Sequence, residues 1–128
     1  MGKAWANVML LSLSGCAHLP SRPASRCLAA HSSSTPRWVR VLGGPGDQSG
    51  RAELALDGGT LIKGAWRRTA PDSLFVSAAG PFDAVWLRLR IHGDSAEGDV
   101  EHRTDAEMSE AMVPSRRWTA VNGSCSQG

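Results

Sequence analysis

Residues 85–103, Val85-Trp86-Leu87-Arg88-Leu89-Arg90-Ile91-His92-Gly93-Asp94-Ser95-Ala96-Glu97-Gly98-Asp99-Val100-Glu101-His102-Arg103, carry the clearest structural signal in the chain. Val85, Leu87, Leu89 and Ile91 alternate with Trp86, Arg88 and Arg90. Successive side chains of a strand point to opposite faces, so a period of two describes a strand buried on one face and wet on the other. Gly93-Asp94 supplies a turn. Beyond it, Ala96, Gly98, Val100 and His102 alternate with Glu97, Asp99, Glu101 and Arg103. If the two runs pair as a hairpin, Arg88 and Arg90 meet Glu97, Asp99 or Glu101 across strands. Each such pair adds roughly 0.2–1 kcal/mol and helps hold register.

The same grammar extends in both directions. Trp38 to Leu42 reads as a first strand, stopped by Gly43-Gly44-Pro45-Gly46-Asp47. Ala52, Leu54 and Leu56 share one face, and Asp57-Gly58-Gly59 offers the positive-φ chemistry of a hairpin turn. Thr60 to Arg68 follows, with Ile62, Gly64 and Trp66 on one side and Leu61, Lys63 and Ala65 on the other. Ala70-Pro71-Asp72-Ser73 turns the chain into Leu74-Phe75-Val76, which ends at Ala78-Ala79-Gly80-Pro81. Thr104 and Glu107 have capping-box spacing, which predicts a short helix through Met112, before Pro114. Arg116 to Val121 predicts a last strand, with Trp118 and Ala120 on one face. Six or seven short strands with turns between them predict an all-β fold. The expected form is a small antiparallel meander, an open barrel or sandwich, with one short helix near the C-terminus.

The N-terminus carries a different kind of information. Met1 to Cys16 reads MGKAWANVMLLSLSGC: Lys3 leads into an apolar run around Val8 to Leu11, closed by Leu13-Ser14-Gly15-Cys16. Ala4 to Leu13 suits the apolar core of a secretory signal, about 7–15 residues, and falls well short of the roughly 20 that span a bilayer. The Leu-Ser-Gly-Cys ending resembles the lipobox of bacterial lipoproteins. That resemblance implies cleavage before Cys16, lipid on its thiol and acylation of its amine. Residues 1–15 are then a signal peptide. Ala17, by resemblance to enterobacterial sorting, implies the periplasmic face of the outer membrane. Several acyl chains together hold where one is marginal. A second reading of the same region stays open. No Asp or Glu precedes Asp47, while Arg22, Arg26, Arg37 and Arg40 and several serines do, the composition of an organellar transit peptide.

Residues 17–36 hold three prolines and five serines without periodicity. Such a composition buries too little surface to offset its ordering entropy. Residues 16–36 therefore read as a lipidated flexible tether, and 37–128 as a single small β domain. Lipidation of Cys16 leaves Cys27 and Cys125, an even pair that suggests a disulfide in an oxidising compartment. Closing a loop of about 100 residues contributes roughly 4–5 kcal/mol in the chain-entropy treatment. Two free thiols in the flanking segments are the alternative.

Formal net charge is +2 over 128 residues, too little to bring in nucleic acid by field alone. Arginine outnumbers lysine twelve to two, which reads as coding bias. The Gly43–Asp47 loop lacks the Gly-Lys-Ser/Thr of a phosphate loop, and Ser49 sits one place too late for a nucleophile elbow. Asp94, Glu97, Asp99, Glu101, His92 and His102 cluster, but a solvated acidic stripe explains them better than a cation site. No catalytic residue, metal or cofactor is expected. The remaining lead is the grouping of tryptophan with arginine. Trp66-Arg67-Arg68, Trp86 with Arg88 and Arg90, and Arg116-Arg117-Trp118 pair residue types enriched at binding hot spots. Trp66, Trp86, Arg88 and Arg90 are the candidate ligand-binding residues. Core filling by Trp66 and Trp118 is the competing explanation. The expected role is a non-enzymatic binding or structural module, with an envelope protein, peptide or glycan as partner. The alternative is a small carrier of hydrophobic ligands, its barrel lined by Val85, Leu87, Leu89 and Trp66.

Overall fold

Alternation along each strand decides which side chains go inside, and antiparallel pairing of neighbours brings those faces together. The computed structural model describes residues 25–31, 34–44, 46–107 and 114–125. Its strands are β1 (Ser25–Ala30), β2 (Trp38–Leu42), β3 (Ser49–Ala55), β4 (Leu61–Ala70), β5 (Ser73–Ala79), β6 (Asp83–His92), β7 (Ser95–Thr104) and β8 (Arg116–Asn122). Each pairs with its neighbour in sequence, and β8 returns to β1, so the eight strands form a closed barrel. The fold is thus all-β and antiparallel as expected, but with eight strands and full closure in place of an open barrel or sandwich of six or seven.

The interior is a packed core. Leu28, Val39, Leu54, Val76, Val85, Leu87, Trp118 and Ala120 are wholly buried, and no polar or charged residue is buried among those described. Each large apolar side chain so buried contributes about 1.5–3 kcal/mol. An eight-stranded barrel has an interior just wide enough for side chains to fill. The Trp118 indole is the largest group there, and its Nε1–H donates to the Pro36 carbonyl at 2.8 Å. That bond ties β8 to the loop between β1 and β2, where the Thr35–Pro36 peptide is cis.

The extra strand is the correction. Residues 25–30, expected within the tether, form β1, which pairs with β2 through Arg26↔Val41 and Leu28↔Val39. Its other edge pairs with β8 through Leu28↔Asn122 and Ala30↔Ala120. Leu28 is its one fully buried side chain, so the strand is held mainly by backbone bonding on both edges. Cys27 and Cys125 form a disulfide, Cα–Cα 5.6 Å, which fixes the tail beyond β8 to β1. Residues 1–24, with Cys16 and the signal-like segment, lie outside the described residues.

The region after β7 is also different. Asp105–Glu107 forms one turn of 3₁₀ helix, and residues 108–113, where the expected helix would continue, lie outside the described residues. One half of the capping pattern is made, from Glu107 back to Thr104. One Glu107 carboxylate oxygen accepts from the Thr104 backbone N–H and from its hydroxyl, both at 3.0 Å. These hydrogen bonds, the backbone one foremost, hold the Glu107 carboxyl below the usual carboxylate range. A depressed carboxyl steadies the turn above its ordinary titration range and releases it as pH falls through the lowered value. In an NMR titration, Thr104→Ala, which leaves the backbone donor and removes the hydroxyl, should move the Glu107 midpoint part of the way back up.

Gly64 and Gly98 stand where strands approach too closely for a side chain. A Cβ on Gly64 would overlap the Ser77 carbonyl, and one on Gly98 would overlap the Arg88 carbonyl. Gly98→Ala should therefore push β6 and β7 apart and cost about 1–3 kcal/mol, read from the shift in urea midpoint.

Candidate functional site

Antiparallel register carries side chains that are distant in sequence into rows across the outside of the barrel. One such row is Arg67↔Phe75, Phe75↔Arg88, Arg88↔Asp99 and Asp99↔Arg117, running over β4, β5, β6, β7 and β8. It lies outside because the flanking positions Trp66, Leu74, Val76, Leu87 and Leu89 are buried. The next row toward the β6–β7 turn is Ser73↔Arg90 and Arg90↔Glu97. Between these rows lies a groove of about 470 Å³, lined by Arg67, Phe75, Arg88, Arg90, Glu97 and Arg117 among others. A second groove of about 310 Å³ shares Phe75 and Arg88 and reaches Trp86, Asp99 and Glu101. The two adjoin at Phe75 and Arg88 and together are the outer trough of the barrel.

Its charges are unevenly matched. Arg117 pairs with Glu97 at 2.8 Å, and Arg90 lies 3.8 Å from Asp72. Arg103 pairs with Glu101 at 2.8 Å, and His102 with Asp83 at 2.7 Å. Arg67 and Arg88 make no ion pair among the described residues. Both instead lie over the Phe75 ring, 5.0 and 5.9 Å from its centroid. Exposed contacts of this kind contribute about 0.5–1 kcal/mol each, and they leave the guanidinium N–H groups available. The outcome is a half-buried aromatic ring between two cations that lack a carboxylate partner.

The four candidate ligand-binding residues do not form one site. Trp86, Arg88 and Arg90 line the trough. Trp66 points inward, 4% exposed, and donates its Nε1–H to the Leu42 carbonyl at 2.8 Å. It forms the floor of a separate cavity of about 470 Å³ at the end of the barrel, with Val41, Leu74 and Ile91. The rim of that cavity is already knitted together. Arg26 donates to Asn122 at 2.9 Å and to the Gly93 carbonyl, and Arg68 donates to the Pro71 carbonyl at 3.0 Å. Val85, Leu87 and Leu89, expected to line a carrier's interior, are packed in the core.

Phe75 was missed as a site residue because it sits in a short apolar run without a charged neighbour. Arg67 and Arg117 adjoin Trp66 and Trp118 in sequence, yet adjacent strand residues face opposite ways. The period of two separates Trp66, which is buried, from Arg67, which is exposed. Among the described residues no three of His, Cys, Asp and Glu are placed to hold a metal ion. Compared with known families, curated proteins and solved structures, the chain matches none. It is, by its fold, an eight-stranded meander barrel with an arginine-rich outer trough.

The Trp66 bond to Leu42 pins the start of the β2–β3 loop from inside. Trp66→Phe keeps most of the buried surface and removes that hydrogen bond, so unfolding free energy should drop by about 1 kcal/mol in a denaturant titration.

Proposed function

We infer that this protein is a lipid-anchored envelope component, a non-enzymatic binding module held through Cys16 on the periplasmic face of the outer membrane. The observation that carries the binding role is the trough itself. Arg67 and Arg88 flank Phe75 on an exposed face without carboxylate partners among the described residues, while the barrel interior is filled. Register brings the two arginines to one ring, and the contacts leave their guanidinium N–H groups exposed and available to a ligand. The anchor rests on the Leu13-Ser14-Gly15-Cys16 ending, and an oxidising compartment suits the Cys27–Cys125 disulfide.

A second reading, a carrier of small hydrophobic ligands, is favoured by the end cavity floored by Trp66, Val41, Leu74 and Ile91. It ranks below the first because the rim arginines are committed to backbone carbonyls. A lipophilic probe separates the two: tryptophan quenching that Trp66→Phe abolishes and Arg88→Ala leaves unchanged would favour the carrier.

Metabolic labelling with a clickable fatty acid tests the anchor. The wild-type chain should take up label, lose residues 1–15 by intact mass and fractionate with outer membranes, and Cys16→Ser should do none of these. A soluble wild-type protein that retains Met1 would overturn the envelope assignment.

A further inference from the structure

We propose that the trough across β4–β8 binds an acidic glycan, a chain of sugar rings bearing carboxylates, a proposal that rests on this face being the ligand-binding one. Three features select that class. The first is the supply of donors. Arg67 and Arg88 lie over the Phe75 ring, 5.0 and 5.9 Å from its centroid, and make no ion pair among the described residues, which leaves their planar forks to grip a carboxylate with paired hydrogen bonds.

The second feature is spacing. Arginines occupy β4, β6 and β8 in a single register row, Arg67, Arg88 and Arg117, with Phe75 and Asp99 between them. Strands lie about 4.8 Å apart, so cations recur roughly every 10 Å along a line crossing the strands. A stiff polymer with acidic groups on alternate units presents its charges in that manner. Its rings offer apolar C–H faces to Phe75 and Trp86, and its hydroxyls can donate to Asp99 and Glu101. A phosphate chain, charged at every unit, would meet those same carboxylates as repulsion.

The third feature removes the main competitor. Extended peptides commonly bind by adding a strand to an open sheet edge, and this barrel is closed by β1 against β8. The trough also runs across the strands, whose backbone groups are already bonded to their neighbours. An amphipathic helix would need an unbroken apolar stripe, whereas here four arginines and a glutamate surround Leu74, Phe75 and Leu89.

Calorimetry and tryptophan emission on the purified full chain test the proposal, with hyaluronan oligosaccharides, dextran, poly-glutamate and polyphosphate as probes. Hyaluronan oligosaccharides, which carry a carboxylate on alternate sugars, should bind saturably and weaken with salt, and dextran should not bind. Arg88→Ala and Phe75→Ala should each weaken binding about tenfold or more. Arg88→Lys, which keeps the charge and loses the fork, should weaken it severalfold. Arg37→Ala, on an exposed residue ahead of β2, should stay within about twofold. Unchanged thermal melting of Arg88→Ala and Arg88→Lys keeps these losses attributable to the site. Tighter binding of poly-glutamate or polyphosphate through Arg88 would overturn the glycan and leave the trough as the binding face. Equal losses from Arg37→Ala and Arg88→Ala would mean ion exchange and overturn it too. Binding of none of the probes would overturn both the glycan and the face.

Discussion

Closure of the barrel is the constraint on which the rest depends. An antiparallel meander of seven strands leaves two edges, each a row of unsatisfied backbone donors and acceptors. Here β1 satisfies both at once, pairing with β2 on one side and β8 on the other. Closure fixes the interior volume, so the side chains that fill it must interlock: Trp118 reaches the Pro36 carbonyl, and Gly64 and Gly98 yield room where neighbouring backbone comes close. Closure also fixes curvature on the outside, and curvature determines which side chains of five successive strands converge.

Those outer side chains follow a division of labour. Several charged residues are spent on each other: Arg40 with Glu53, Arg103 with Glu101, Arg117 with Glu97, and His102 with Asp83. Surface pairs of this sort are worth little individually, about 0–1 kcal/mol, and they mainly set register and remove net field. Against that neutralised background, Arg67 and Arg88 stand out because they share an aromatic ring instead. Local charge imbalance on a near-neutral protein is more selective than a large overall charge, which would attract any polyanion.

Much of the fold was legible because alternation is a strong signal when one face is buried. Val85, Leu87 and Leu89 against Arg88 and Arg90 fix both the strand and the face it buries, and the structure keeps every one of these on its expected side. The strand β1 was illegible for the opposite reason. Leu28 is its one large buried residue, and serines and prolines surround it; its stability comes from two partners far away in sequence, which no local window contains. The trough was half legible. Arg88 and Arg90 follow from alternation within one strand, whereas Phe75 joins them only through the register of two hairpins. Trp66 was placed with the arginines by adjacency, and the pleat sends it the other way.

The Cys27–Cys125 disulfide has a mechanical consequence. Traction applied to the chain ahead of Ser25 enters the barrel through β1, the strand that seals it, and only Ser25 and Arg26 precede the covalent link. Beyond those two residues the load passes through sulfur to the tail of β8, so the seam between first and last strands is stressed as one riveted joint. Peeling stops at the rivet, and the head stays shut under tension.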